Sequence, residues 1–139
     1  MASNNSEESA ILATCADFLN SMNTKDFAGM NNYINPEGHG ALRRYGPDGS
    51  AIIIHTSLGD LVKRLEEITN ANYADKTMEE TFENPDVRID DDLAMVWTNF
   101  RILVDGQQTA KGSNIFCLHK MGEKGWRISG VADRNTPTS

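Results

Sequence analysis

The sequence contains few of the residues that mark secreted or membrane-spanning proteins. It has only two cysteines, Cys15 and Cys117, among 139 residues, so a small disulfide-stapled scaffold is excluded. Both lie inside predicted elements, where we expect buried thiols in a reducing compartment. No apolar run approaches the roughly 20 residues that a membrane-spanning helix needs. Residues 1–9 are polar and acidic without the apolar centre of a signal peptide, which predicts a cytoplasmic, intracellular protein.

Positive charge is also scarce. The chain has 13 Lys and Arg against 20 Asp and Glu, a net charge of −7. Its basic residues are scattered, with pairs only at Arg43-Arg44 and Lys63-Arg64. Because binding to nucleic acid depends on clustered Lys and Arg, we predict no nucleic-acid partner, and nothing favours a membrane partner.

Several catalytic signatures are missing as well. The chain contains no nucleophile elbow, no phosphate-binding loop and no dinucleotide fingerprint. No two histidines and a carboxylate fall at a spacing typical of metal ligands, and the acidic run at residues 90–92 lacks the alternating ligands of a calcium loop. We therefore predict neither a metal nor another cofactor.

What the chain does contain is a meander of three β-strands over residues 93–133. Asp105-Gly106 separates two runs rich in β-branched and aromatic residues, which is the strongest short hairpin signal, and Gly122–Gly125 forms the second turn. Large apolar residues occur on both faces, for example Phe100 on one and Trp97 on the other. Because the upstream helices can cover only one face, we predict a homodimer through the sheet face.

The rest of the chain supplies those helices. Apolar residues at helical spacing predict a first helix over residues 6–22, capped by Asn5 or Ser6. A short second helix is predicted after Thr24 and ends at Pro36 and Gly38, and a hairpin turns at Pro47–Gly49. Thr56 or Ser57 caps a third helix, whose apolar stripe runs from Leu58 to Ile68. A long strand follows over residues 77–89, with a bulge or an edge at Pro85. Residues 1–5 and 135–139 are expected to be flexible tails of a single domain, 1–139.

This order predicts an α+β fold: a cone-shaped, strongly curved antiparallel (mixed) sheet with three N-terminal-half helices on its concave face. Such a cone encloses an apolar pit.

The element order resembles the nuclear transport factor two-like superfamily, and within it the SnoaL-like and lumazine-binding types. The segments that carry the resemblance, across about residues 6–133, are the PDG turn, TSLGDLVKRL, DDDLAMVWTNF, the DG hairpin, FCLHK and GWRISGVAD.

The resemblance implies a pocket that different members use differently. They include isomerases, polyketide cyclases, dehydratases, epoxide hydrolases and non-catalytic binders. Catalytic SnoaL-like cyclases close with a run resembling Glu-His-Trp-Asp, whereas the matching place here reads Gly130-Val131-Ala132-Asp133. Only Asp133 is carried over, as a general acid or base.

The candidate catalytic residues are Asp133, His39 and Tyr45. In a desolvated pit, Asp133 would have a raised pKa. Alternatively it is a solvated carboxylate at a strand end, paired with Arg127 or Arg134. His39 can shuttle a proton, or it is a turn histidine bonded to backbone. Tyr45 can orient a carbonyl through its phenol, or it is a packed aromatic.

Further side chains are expected to line the pit and to contact a ligand. They are Phe18, Met22, Tyr33, Arg43, Leu61, Leu65, Thr98, Phe100, Asn114 and Phe116. Together these features favour a cofactor-independent enzyme doing acid–base chemistry of isomerase, cyclase, dehydratase or hydrolase type on a mostly apolar metabolite. The alternative is a non-catalytic ligand-binding or dimeric accessory protein of the same fold.

Overall fold

The computed structural model describes residues 4–138, with side chains from Ser6 onward. Within this range three helices and seven strands follow one another along the chain. The helices are α1 (Asn4–Asn23), α2 (Phe27–Met30) and α3 (Leu58–Asn72); the strands are β1 (Ile34–Tyr45), β2 (Ala51–Ser57), β3 (Met78–Glu80), β4 (Glu83–Asp90), β5 (Leu93–Val104), β6 (Gln107–Lys120) and β7 (Trp126–Pro137). None of these helices is long and apolar enough to cross a membrane.

The strands form one open mixed sheet in the order β2-β1-β7-β6-β5-β3, with β4 also paired to β5. Only β1 and β7 run parallel, and every other pair is antiparallel. Asp105 and Gly106 both have positive φ, as a tight hairpin between two twisted strands requires. The α+β fold with its helices in the N-terminal half is therefore confirmed.

The N-terminal boundaries differ from the predicted ones. The first helix begins at Asn4, ahead of the residues expected to cap it. The second is capped by Asp26 rather than Thr24, because the Asp26 carboxylate accepts a hydrogen bond from the Gly29 N–H. Pro36 does not end this helix. It lies inside β1, in an irregular stretch between the Ile34 and His39 pairings to β7 where no ladder hydrogen bond needs its missing N–H.

The C-terminal end was predicted to be a flexible tail, but the sheet continues through it. The last strand runs to Pro137, which pairs with Ala110, and the Thr138 N–H donates to the Thr109 carbonyl. Residues 1–3 and 139 of the predicted tails lie outside the described residues.

The predicted long strand over residues 77–89 is broken into β3 and β4, both of which pair with β5. The register shifts between Glu83 and Asp86, and Asn84 adopts a positive φ of 49°. The bulge expected near Pro85 is confirmed. It lies on the edge of the sheet, where a proline costs no ladder hydrogen bond.

The hydrophobic core lies between the helices and one face of the sheet. Buried side chains of α1 and α3 pack on the inward residues of β5, β6 and β7: Ile11, Cys15, Phe18, Leu19, Met22, Leu58, Leu61 and Val62 against Val96, Phe116, Leu118 and Ile128. The Ser57 hydroxyl caps α3 by accepting from the Asp60 N–H, as predicted. Ile68 is not part of its buried stripe, because Ile68 is 43% exposed and Thr69 is buried instead.

The two cysteines lie in different environments. Cys15 is buried, and desolvation raises the pKa of its thiol to about 12. Cys117, which was also predicted to be buried, is exposed on the outer face of β6. The prediction failed because both faces of this strand carry apolar residues and only one is covered by helices.

We expect Gly112→Ala to lower the free energy of unfolding by about 3 kcal/mol or more, because overpacking a filled site forces backbone movement. A Cβ at Gly112 would collide with the Arg134 carbonyl oxygen and press on the Phe100 ring. Gly130→Ala is the matched control, since its Cβ would lie 3.5 Å from the nearest atom, Cβ of Cys117. Urea denaturation measures both variants, and equal effects would contradict the packing assigned to Gly112.

Candidate functional site

A bulge in β7 decides which side of the sheet Asp133 faces. Gly130 pairs with Cys117 and Ile128 pairs with Leu118, so Ser129 is an extra residue without a partner in β6. Strict alternation along the sequence of β7 predicts that Asp133 lies on the face opposite Trp126 and Ile128. This prediction is wrong, because the extra residue reverses the alternation. Asp133 points to the helix side of the sheet, and its side chain is only 8% exposed.

A fixed set of donors surrounds the Asp133 carboxylate. Arg44 Nη1 lies 2.8 Å from Oδ1 and 3.0 Å from Oδ2, and the backbone N–H of Arg43 donates to Oδ1 at 2.9 Å. Asp133 therefore pairs with Arg44 rather than with Arg127 or Arg134. An ion pair this sheltered offsets the cost of burying the carboxylate, which would be large without a partner.

A second carboxyl group, that of Glu80, enters the same space from β3. Asn114 on β6 donates to Glu80 Oε2 at 3.1 Å. The Asn23 side chain at the end of α1 holds the Glu80 backbone in place: its Oδ1 accepts from the Glu80 N–H at 2.9 Å, and its Nδ2 donates to the Glu80 carbonyl at 3.1 Å. Among the described residues, none donates a hydrogen bond to Oε1, the other carboxyl oxygen of Glu80.

The environment of Glu80 makes its carboxyl group an unusually weak acid. Desolvation raises its pKa from 4.5 to about 7, and the nearby charge of Asp133 acts in the same direction. The hydrogen bond from Asn114 and the charge of Arg44 partly oppose these effects. A group with this pKa exchanges protons readily at neutral pH, which is what general acid–base catalysis requires.

The two carboxyl groups lie at the polar end of an apolar pit. Its walls are Phe18, Leu19, Met22, Leu42, Leu61, Leu65, Phe116 and Val131, and its polar groups are Arg44, Glu80, Asn114 and Asp133. The free volume is about 60 Å³, well below the roughly 300–1,000 Å³ of typical small-molecule pockets. The pit as it stands accommodates a very small molecule or a few waters.

Six of the ten residues expected to contact a ligand line this pit: Phe18, Met22, Leu61, Leu65, Asn114 and Phe116. Thr98 and Phe100 are buried in β5 outside its lining, and Tyr33 packs against the core. Arg43 lies on the opposite face of β1, where its guanidinium stands 5.0 Å from the centre of the Tyr45 ring. Its neighbour Arg44 occupies the inward place that was expected of Arg43.

His39 and Tyr45 are not brought together with Asp133. In β1 the inward residues are Leu42 and Arg44, so His39, Arg43 and Tyr45 point to the outer face by alternation. Tyr45 is 41% exposed, and His39 is exposed and hydrogen-bonded to His55. The chemical group that does meet Asp133 in the pit is the carboxyl of Glu80.

Glu80 was missed by the sequence interpretation. The alternation of side chains along a strand could have indicated Glu80. Met78, Glu80 and Phe82 are two residues apart, so a carboxyl group shares one strand face with two apolar side chains. The sequence could not show that β6 and β7 deliver Asn114 and Asp133 to the same place. Within residues 4–138, no group of three or more His, Cys, Asp or Glu side chains is arranged to hold a metal ion.

Comparisons with known proteins identify the fold. No protein-family model matches the chain, and no curated protein matches it significantly. A nuclear transport factor 2-like superfamily protein from Salmonella enterica serovar Typhimurium superposes with a TM-score of 0.74, at 14% identity over 99% of this chain and 96% of that one. A Mycobacterium tuberculosis protein of unknown function gives a TM-score of 0.72, at 19% identity over 94% and 72% of the two chains.

The S. rosetta CaMKII hub is also similar, with a TM-score of 0.65 and 14% identity over 92% of this chain and 95% of the hub. At these identities the comparisons establish that the chain has the nuclear transport factor 2-like fold, without extending to its activity.

We expect stability to fall as the pH rises from about 4.5 to about 7, by up to about 3 kcal/mol. The folded state holds the Glu80 proton up to a higher pH than the unfolded chain does, so deprotonation across this window favours unfolding. Glu80→Gln should remove this dependence and raise stability at pH 8. The measurement is urea denaturation at a series of pH values, with exposed Glu79→Gln as the control.

Carbon-detected NMR titration of the Glu80 carboxyl gives the pKa directly. A midpoint near 4.5 would contradict the buried placement of this group.

Proposed function

We propose that this chain is a SnoaL-like, cofactor-independent enzyme that moves a proton within a small, mostly apolar metabolite bound in the pit. The observation that carries the proposal is the meeting of Glu80, Asn114 and the Arg44–Asp133 ion pair at one end of an apolar cavity. Pairs of titratable groups held in contrasting environments are typical of acid–base sites.

Glu80 is the proposed acid–base group. Its Oε1 accepts no hydrogen bond from the described residues, so it is the oxygen that can take a proton from a bound molecule. Asn114 and Asn23 hold the rest of the residue still. In an isomerisation, ionised Glu80 removes a proton from one atom of the substrate and returns it to another, which leaves the protein unchanged after each turnover.

Asp133 has a supporting role in this proposal, in place of the acid–base role expected from the sequence. Both of its oxygens already accept hydrogen bonds, from Arg44 and from the Arg43 backbone. Its negative charge favours the protonated form of Glu80, while the paired Arg44 can still donate to an oxygen of the substrate through its remaining N–H groups. His39 and Tyr45 have no part in this reaction.

The size of the pit restricts the substrate. With about 60 Å³ free, a metabolite larger than a few heavy atoms requires side chains at the rim to move. Leu65 is the obvious candidate, since it is only half-buried whereas most of the wall is buried. A small carbonyl compound fits best, because its oxygen can face Arg44 and Asn114 while its carbon skeleton meets the apolar wall.

The same narrowness favours the second candidate function, a non-catalytic protein. If the cavity is too small for a metabolite, its polar side chains form a structural cluster inside a dimeric accessory protein. The missing histidine beside Asp133, relative to the SnoaL-like pattern, supports this alternative.

In either function we propose a homodimer through the outer face of β5, β6 and β7. Trp97 and Leu93 on β5 are 45% and 46% exposed there, and Cys117 on β6 is exposed as well. A hollow of about 130 Å³ lies beside Trp97, lined by Ile115 and Ala132. Exposed apolar surface of this kind is typical of an interface, and a two-fold axis would bring the same patch of a second copy against it.

The enzymatic proposal is tested by proton exchange into small cyclic ketones in deuterated water, followed by NMR. We expect the protein to accelerate exchange next to the carbonyl group, and Glu80→Gln to slow it by about 10²- to 10⁴-fold. Exposed Glu79→Gln is the matched control. If ketone binding shifts the Phe116 signals without any exchange, the non-catalytic function is favoured; equal rates for wild type and Glu80→Gln would reject the role of Glu80.

The dimer is tested by sedimentation velocity. Trp97→Glu should convert the protein to a monomer, because it places a charge at the centre of the apolar patch. Ile68→Glu is the control, since Ile68 is exposed to a similar extent (43%) but lies on α3, away from this face. A wild-type monomer, or a dimer that survives Trp97→Glu, would contradict the proposed interface.

A further inference from the structure

The outer face of the β1–β2 hairpin carries two of the three histidines of the chain, His39 and His55. His39 Nε2 lies 2.9 Å from His55 Nδ1, so that one ring donates a hydrogen bond to the other. The ring centres are 5.1 Å apart and the ring planes are inclined by 28°. Both residues are exposed.

The register of the hairpin produces this pair. Ala41 is the direct partner of His55, and His39 lies two residues earlier on the same face of β1. The two histidines are therefore diagonal neighbours across the strands, a spacing that long side chains can bridge. Ala41, the residue of β1 that lies directly opposite His55, has a small side chain.

The separation of the two nitrogens matches that of two ligands on one metal ion. Metal–nitrogen bonds of about 2.0–2.1 Å, at the angles of common coordination geometries, place adjacent nitrogen ligands about 3 Å apart. In the metal-free pair one of the facing nitrogens carries a proton. If that ring changes tautomer, its proton moves to the other ring nitrogen and both facing nitrogens present lone pairs.

We propose that His39 and His55 form a bidentate binding site for a divalent first-row transition ion, with Cu²⁺ bound more tightly than Zn²⁺. Imidazole suits these ions, and the order of affinities follows the general preference of nitrogen ligands. In the part of the chain that the structure describes, no third His, Cys, Asp or Glu completes the site. The remaining positions are open to water or to a ligand from outside.

This site is separate from the pit. His39 and His55 lie on the outer face of the sheet, whereas Glu80 and Asp133 lie on the helix side. The proposal does not depend on the proposed proton transfer, and Glu80→Gln should bind metal as the wild-type protein does.

The test is calorimetric titration of the untagged chain of 139 residues with Cu²⁺ or Zn²⁺ alone. We expect one ion per chain, and at least a tenfold loss of affinity in His39→Ala and in His55→Ala, because either change removes the advantage of two linked ligands. The double variant should lose less affinity than the sum of the two single losses, because the first substitution already removes the chelate. His119→Ala is the matched control and should leave affinity unchanged, since His119 bonds Ser129 instead.

Electron paramagnetic resonance of the Cu²⁺ complex should show two coordinated nitrogens, falling to one in each single variant. Circular dichroism checks that the variants fold, and His39→Gln and His55→Gln provide second, less drastic changes. The proposed two-histidine site would be rejected if metal affinity were unchanged in these variants or if His119→Ala lost as much affinity as they do. It would also be rejected if the losses of the two single variants added up in the double variant.

Discussion

The parallel pairing of β1 with β7 is the constraint on which the rest of the molecule depends. It joins the first half of the chain, with its helices and hairpin, to the C-terminal meander. The Arg44–Asp133 ion pair lies across this junction, and the Arg43 backbone N–H reinforces it. Because the Asp133 side chain is largely buried, loss of Arg44 from the folded protein would leave the carboxylate without its charged partner in an apolar environment. The ion pair therefore stabilises the junction of the two strands.

The two carboxyl groups in the pit have different hydrogen-bonding partners. Asp133 accepts hydrogen bonds from the Arg44 guanidinium and from the Arg43 backbone N–H. Glu80 has one amide donor and is desolvated, and its pKa rises to about 7. A single apolar cavity thus contains the Arg44–Asp133 ion pair and a carboxyl group with a pKa of about 7, the combination on which the proposed activity rests.

The two faces of the sheet have separate roles. The inner face forms the core and the pit, since the helices cover it. The outer face retains exposed apolar side chains at Trp97 and Leu93 and the histidine pair on the hairpin. The proposed dimer contact and the proposed metal site lie at different parts of this face, because Trp97 is on β5 and the histidines are on β1 and β2.

Local sequence patterns determined the fold class, the Asp105-Gly106 hairpin, the Ser57 cap and the apolar walls at Phe18, Leu61 and Phe116, since each depends on residues close together in the chain. Tertiary structure alone decided the site. The extra residue Ser129 reversed the side to which Asp133 points, and a strand pairing between distant segments brought Glu80 to Asn114. The same holds for His39 and His55, which lie 16 residues apart and meet only through hairpin register. Alternation predicts faces only while the register is regular, and contacts across strands carry no local signal.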